Sequence, residues 1–374
     1  MGRRLPQPGE SGMRHRFHSI CPYFAMFPET FVEKHLTATR HAGVVFDPYC
    51  GRGTTVFQAL LQGRTAAGSD LNPVAVCVSG AKGDPPSLAI ARARLDELRH
   101  SCGDPNDEGW QGELDRFFDL CFHQDTMLQV RYLRSVLDWR NRKDDRFIAA
   151  LCLGALHGES HKSPNCFSNR MPRTISTKPD YSVRWWTDRS YAPPSRDVFE
   201  ILERMLEYRF RTRPPDGCAR VVQADSRRVA AAFPALAGRV TDVITSPPYL
   251  DTTNYREDQW LRLWFLGGQP IVPRGRRDDR HYNKDVYWSF IQASMKGLAP
   301  LLAKRARLVI RIGGRRLRKT ELKEGLLQAL TRGLDRDVEI IDDGVTTEVG
   351  RTQANVFRGQ KVSRVQEHDF CFAM

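Results

Sequence analysis

The chain lacks any run of roughly 18 consecutive apolar residues, the length a membrane-spanning helix requires, so no membrane segment is expected. It also lacks the apolar leader and small-residue cleavage site of a secretory signal. Residues 1–14, rich in Arg, Gly and Pro, read instead as a flexible tail. Paired cysteines are missing: nine Cys are scattered singly with no Cys-x-x-Cys. That argues against a zinc ribbon or a thiol-redox centre, and no metal is expected. An unpaired odd count fits a reducing compartment, so a cytoplasmic location is expected. Acid is in short supply, with 44 Asp and Glu against 57 Lys and Arg, leaving a net charge of +13. A surplus of that size favours a polyanionic partner, nucleic acid first, because counterion release drives such binding. Most of the surplus is Arg, which makes bidentate contacts to phosphate and guanine.

What is present centres on Val243-Ile244-Thr245-Ser246-Pro247-Pro248-Tyr249. With Val240 upstream, it reads as a short buried strand halted by a double proline, which donates no N–H and fixes φ. Ser246 and Tyr249 flank the rigid pair. At the C-terminal end of a strand they offer an acceptor and a π face to a flat polar substrate. Far upstream lies Val44-Val45-Phe46-Asp47-Pro48-Tyr49-Cys50-Gly51-Arg52-Gly53-Thr54-Thr55: an apolar strand, an acid at its tip, a turn with two glycines, then a helix over 54–61. Glycines permit close backbone approach to a ligand. The next strand, 65–69, ends in Asp70-Leu71-Asn72-Pro73. An acid at a second strand tip, about 20 residues on, is where a ribose hydroxyl pair is held. Asp47 would repel a pyrophosphate. It suits a cationic cofactor carrying an amino group, such as S-adenosylmethionine.

These motifs together resemble the exocyclic-amino DNA methyltransferases, the N4-cytosine/N6-adenine family, whose cofactor motif reads Asp-Pro-Phe-x-Gly-x-Gly-Thr-Thr and whose catalytic motif is Ser/Asp/Asn-Pro-Pro-Tyr/Phe. The segment from His18 to Pro28, with Tyr23 and Phe27, is similar to that family's His-Pro-Tyr-x-x-Lys-Phe-Pro segment beside the cofactor; it carries an inserted pair, and Met26 where Lys is usual. The resemblance spans residues 15–82 and 219–310. It implies a doubly wound, Rossmann-like α/β methyltransferase sheet that binds S-adenosylmethionine through Tyr23, Phe27, Asp47, Pro48, Gly51, Gly53, Thr54, Asp70, Asn72, Asp225 and Thr245. Asp47 would take the methionine ammonium, Asp70 the ribose hydroxyls and Asp225 the adenine amine. Ser246, Pro247, Pro248 and Tyr249 would be catalytic, with Tyr249 stacked on a flipped base. Ser before Pro-Pro is typical of the cytosine group, so N4 of cytosine in DNA is the expected target. N6 of adenine, an RNA amine and a non-catalytic nucleic-acid-binding module are the alternatives. Cys50 lies in the cofactor turn, away from any Pro-Cys context, which disfavours a carbon-5 mechanism with a Cys nucleophile.

Between the two stretches that carry the resemblance the sequence changes character. Gly83-Asp84-Pro85-Pro86 marks a break. From there to residue 218 the periodicity predicts a helical insertion, with helices over 87–99, 113–122, 126–139, 144–157 and 195–210. The methyltransferase domain is thus expected to comprise 15–82 and 219–374, and the insertion, 83–218, to recognise the target. The stretch 158–194 shows no periodicity and reads as a long loop. Its interleaved aromatics and arginines, Arg184 and Trp185 among them, suit DNA, as does the basic loop holding Arg274, Arg276 and Arg277. Tyr255 and Trp260 are secondary candidates for base stacking; His157, His161 and His281 are candidate bases. Downstream, helices over 256–266, 285–303 and 320–330 alternate with strands over 307–311, 338–341 and 370–372, the last antiparallel.

Overall fold

The structure is a computed structural model. It describes residues 14–23, 27–37, 43–103, 114–158, 164–171, 178–250, 258–269, 283–314, 317–349 and 365–374. The chain forms two compact units. The first comprises Met1–Met26, Pro73–Asp216 and Tyr255–Arg274; the second comprises Phe27–Asn72, Gly217–Asn254 and Gly275–Met374.

The second unit is built on a sheet. Its elements are α1 (Glu29–Thr37), β1 (Val44–Asp47), α2 (Thr54–Leu61), β2 (Ala66–Asp70), β3 (Arg220–Gln223), β4 (Val240–Thr245), β5 (Leu302–Gly314), β6 (Glu339–Asp342), β7 (Thr346–Val349) and β8 (Val365–Ala373). Strand order is β3-β2-β1-β4-β5-β8-β6, with β7 also paired to β8. The first five strands are parallel. β8 runs antiparallel to β5, β6 and β7. Alternating side chains face opposite sides of the sheet. Val44, Phe46, Val243, Leu308 and Ile310 share one cluster with residues of the helices Lys284–Leu298 and Lys319–Leu334. Val45, Ile244 and Val309 share the other with Phe31, Val32, Val56 and Leu60 of α1 and α2. The expected doubly wound, Rossmann-like α/β architecture is therefore what forms. Strand order reverses between β1 and β4, the switch point where open α/β sheets hold ligands beyond their C-terminal strand ends.

Three sequence expectations change here. The helix expected over 285–303 ends at Leu298, because Ala299-Pro300-Leu301 tightens into a 3-10 turn and Pro300 cannot donate to a continuing helix. The strand expected over 307–311 is longer, since Lys304 and Arg305 are exposed at its start and hide its extent in a hydropathy reading. β7 was not expected; its only apolar residue is Val349. At the opposite end of β4 from the Pro-Pro, buried Asp242 is neutralised by Arg64 at 2.9 Å and Arg307 at 3.7 Å. An unpaired charge there would be strongly destabilising.

The first unit is helical in its described residues: α3 (Pro73–Gly83), α4 (Leu88–His100), α5 (Asp115–Cys121), α6 (Gln124–Val136), α7 (Lys143–Ala155), α8 (Pro179–Thr187), α9 (Val198–Phe210) and α11 (Trp260–Phe265), α10 being the single turn Val229–Ala232 of the other unit. Ser87 caps α4 by accepting from Ile90 N at 3.2 Å. α7 is buried almost throughout, from Phe147 to Ala155, each large apolar side chain contributing about 1.5–3 kcal/mol. Its buried Asp145 is paired with Arg94 at 2.7 Å. The stretch 158–194 is corrected in part: it contains α8, whose Trp186 is fully buried against Phe117 and donates Nε1–H to Arg170 O at 2.7 Å. Trp260 is likewise buried on Phe117 and is a core residue.

Candidate functional site

β1 ends at the switch point with Asp47, 1% exposed. Its Oδ1 accepts from Tyr49 N at 3.0 Å and from Thr245 Oγ1 at 2.5 Å. Burial dominates these bonds and pushes its carboxyl up to about 7. The turn that follows uses Gly51 at φ +48 and Gly53 at φ +73, left-handed conformations that cost a residue with a Cβ far more than glycine. Gly53 opens α2 without a side-chain cap. Arg52, between the glycines, turns away from them: its Nη2 meets Glu29 at 3.1 Å and its Nε donates to Thr54 Oγ1 at 3.2 Å.

Asp70, at the tip of β2, braces this turn. Its Oδ2 accepts from Gly51 N and its Oδ1 from Asn72 N, both at 2.9 Å. Burial still raises its pKa. The sequence marks Asp70 as a ligand contact but not as the acceptor that holds the glycine turn. A carboxylate has about four acceptor positions, and the backbone N–H groups of Gly51, Asn72 and Leu71 leave room for a ribose hydroxyl. Asp70→Ala is expected to weaken S-adenosylmethionine binding by about 1–3 kcal/mol, the range for leaving such polar groups unpaired. Calorimetry on the folded variant measures this; unchanged affinity would remove Asp70 from the site.

β4 brings the other half of the site alongside. Thr245 and Asp47 lie 198 residues apart in sequence and are hydrogen-bonded because β1 and β4 are parallel neighbours. Thr55 of α2 also donates to Ile244 O at 2.9 Å. Ser246 follows at once. Its Oγ donates to Tyr249 Oη at 3.2 Å, and Tyr249 Oη donates to Glu367 Oε1 at 3.1 Å. Pro247 is buried. Pro248 O accepts from the buried Tyr287 Oη at 3.0 Å, which fixes the Pro-Pro backbone. Tyr249 packs one side on the core, so only part of its ring is available for stacking. Tyr49 lies across from Phe290, ring centroids 6.3 Å apart, with burial raising its phenol to about 12.

The remaining sequence candidates fall out differently. Asp225 follows β3 and caps a 3-10 turn, but Arg227 occupies its carboxylate through both its backbone N–H and its guanidinium. Pro48 is buried behind Asp47, and Phe27 packs on Phe31 at 5.1 Å within the second unit. Tyr23 is buried in the first unit. Also in the first unit are exposed Arg184 and half-buried Trp185, the latter under the Arg189 guanidinium at 4.8 Å and edge-on to Tyr191 at 5.2 Å. Arg274, Arg276 and Arg277, with Tyr255, His161 and His281, lie outside the described residues. His157 is buried in the first unit, and burial drives its pKa well down. The sequence analysis marks none of Glu367, Arg311 and Asp369: the two acids sit in the charged C-terminal strand β8 and Arg311 at the end of the strand expected over 307–311, and neither context carries a motif. Among the described residues, no group of three or more His, Cys, Asp or Glu could hold a metal, and no helix is long and apolar enough to cross a membrane.

Fold and site define a Rossmann-like α/β protein with a polar cradle at its switch point. Residues 6–79 match the family model of N6/N4 type described as DNA methylase, which supports the resemblance to the exocyclic-amino DNA methyltransferases. The matched stretch includes the Asp47 turn and Asp70; Ser246–Tyr249 lies beyond it. No curated protein matches the chain. Among solved structures, it is similar to two of the rRNA methyltransferase aviRa from Streptomyces viridochromogenes, at 13% and 14% identity and a TM-score of 0.35 for each, covering 97% and 100% of this chain and 93% of that chain.

Proposed function

We propose that the protein transfers a methyl group from S-adenosylmethionine to the exocyclic amine of a base flipped out of DNA, N4 of cytosine. The observation that carries this reading is the direct bond between Thr245 and Asp47. It joins the acid–glycine cradle to the Ser-Pro-Pro-Tyr corner within one unit.

The residues suit the cofactor. Asp47 is a buried carboxylate at the tip of β1 whose ionised form calls for a cation, and the methionine ammonium would supply one. The positive-φ glycines bare their backbone, and Asp70 keeps acceptor capacity for the ribose. Asp225 would reach the adenine amine only by sharing acceptor positions with Arg227. When bound, the cofactor supplies an electrophilic methyl carbon on a sulfonium. The chain's own residues then act on the amine. Its lone pair is delocalised into the ring. Accepting its hydrogens at Ser246 Oγ and at the Pro247 carbonyl draws the nitrogen toward sp³ and frees the pair for in-line attack. Pro248 O is already engaged by Tyr287, which leaves the preceding carbonyl for the substrate.

The base must leave the duplex to reach this corner, as it does for other enzymes that modify bases. We assign target recognition to residues 83–218, with Arg184 and Trp185, and to Arg274, Arg276 and Arg277. The +13 charge supports a nucleic-acid substrate, and the matched family description supports DNA. The choice of cytosine rests on Ser246, a short neutral acceptor beside a partly available Tyr249. Nucleoside mass spectrometry after incubation of DNA, and separately of RNA, with protein and labelled cofactor tests it. The expected label is in N4-methylcytidine. Label only in N6-methyladenosine would replace the base, label in RNA alone would replace the substrate, and label in 5-methylcytosine would overturn the amine mechanism.

A further inference from the structure

The strand β8 places Glu367 beneath the Ser-Pro-Pro-Tyr corner, paired in register with Gly313 of β5 and Thr347 of β7. Its Oε1 accepts the Tyr249 phenol at 3.1 Å. Its other oxygen lies 3.7 Å from Arg311 Nη1. Arg311 spends its two short bonds on Asp369, at 2.6 and 2.9 Å, and stacks over the Phe31 ring at 4.1 Å. Asp369 therefore takes the short bonds of the guanidinium, Glu367 Oε2 meets Arg311 only as a longer ion pair, and Glu367 Oε1 serves Tyr249.

The direction of the bonds matters. A serine hydroxyl has one donor and two acceptor positions, whereas an ionised carboxylate only accepts. A Ser246 that pointed its proton at an incoming N–H would repel it. Here donation runs one way, from Ser246 to Tyr249 and from Tyr249 to Glu367. While Glu367 is ionised it can only accept, so Tyr249 must donate to it. The Tyr249 oxygen then takes the Ser246 proton, and the lone pairs of Ser246 remain for the amine.

We propose that Glu367 is a positioning residue for this transfer: acting through Tyr249, it fixes Ser246 as a hydrogen-bond acceptor and is the final acceptor of the proton the amine loses. This rests on the methyltransferase reading. The step balances. The amine lone pair forms the N–C bond, the S–C pair stays on sulfur, and the nitrogen becomes cationic. Its proton passes to Ser246 Oγ, the Ser246 proton to Tyr249 Oη, and the Tyr249 proton to Glu367, which ends neutral.

The groups around Glu367 set where it titrates. Burial raises its pKa and the Asp369 charge adds to that; Arg311 and the Tyr249 hydrogen bond hold it down. Glu367→Gln keeps the shape and removes the charge. At saturating cofactor and DNA, kcat is expected to fall by roughly 10²-fold, the lower end for proton-transfer catalysis. The acid limb of the kcat–pH profile should vanish, and both dissociation constants should hold. An unchanged kcat in the folded variant would overturn the proposal.

A second readout needs no turnover. The Cζ resonance of Tyr249 in ring-13C-labelled protein, assigned with Tyr249→Phe, should titrate with Glu367 and should shift in Glu367→Gln. A resonance indifferent to both would overturn the relay. If the wild-type protein methylates no nucleic acid, the methyltransferase reading fails by itself, and the Tyr249 resonance still decides whether Glu367 orients Ser246.

Discussion

Ser246→Ala is expected to lower kcat by roughly 10²–10³-fold, the scale for removing one preorganised group that meets charge developing only in the transition state. Affinity for S-adenosylmethionine should stay within experimental error, because the cradle of Asp47, Gly51, Gly53 and Asp70 makes no bond to the Ser246 side chain among the described contacts. A loss confined to kcat is the signature of an interaction made in the transition state and not in the ground state. The variant removes the donor to Tyr249 but leaves the Tyr249–Glu367 bond and the Pro248–Tyr287 bond in place, so the corner should keep its shape. Single-turnover methylation with labelled cofactor measures the chemical step directly. A variant that turns over at the wild-type rate would take Ser246 out of the chemistry. The double variant with Glu367→Gln sharpens the test. If both residues act through one chain, Glu367→Gln should add little once Ser246 is gone.

The second large effect concerns pH. Asp47 is pushed up to about 7 by burial in the free protein. An acid whose folded pKa lies above its unfolded value holds a proton that the unfolded chain has released. Its contribution to stability is therefore complete below the ordinary carboxylate range and is lost as pH rises to about 7. A bound ammonium reverses the preference, since it favours the ionised carboxylate. Binding below pH 7 must then expel a proton, and affinity should rise with pH, approaching tenfold per unit below the pKa and levelling above it. Calorimetry at pH 6 in two buffers of different ionisation enthalpy measures the released proton. Asp47→Asn should abolish that release and weaken binding by about 1.5–3 kcal/mol, the range for a hydrogen bond to a charged group. Proton-free binding with a flat profile from pH 6 to 8 would show that no cation sits on Asp47.

Much of the site was legible because its parts are local. Asp47, Gly51 and Gly53 sit on one strand–turn–helix, where spacing alone places the acid at the strand tip and the glycines at the bend. Ser246 to Tyr249 are held by the rigidity of Pro247-Pro248. The doubly wound sheet followed from alternating strands and helices, and α2 forms over the expected residues. Residues 158–194 were misread because a short amphipathic helix opening at Pro179 leaves too brief a period to stand out among Trp and Arg. The end of the long helix was set too late because the expected span runs through Pro300, and the start of β5 too late because the exposed Lys304 and Arg305 interrupt its apolar run.

What the sequence by itself determined is the inventory of residues: an acid at a strand tip, a turn that bares its backbone, a second acid, and a serine and tyrosine on a rigid rim. Those are properties of residue type and short spacing, which backbone geometry converts directly into position. Only the tertiary structure decided how they work together. Register between parallel β1 and β4 puts Thr245 on Asp47. The crossing from β2 back to the turn makes Asp70 the brace of Gly51. The antiparallel seating of β8 carries Glu367 to Tyr249, 118 residues away in sequence. Such pairings are set by which strands neighbour each other and in what register, through hydrogen bonds and a core shared across the whole sheet. The same reason explains Arg311 on Asp369, partners on neighbouring strands 58 residues apart, whereas Arg227 meets Asp225 within one local turn.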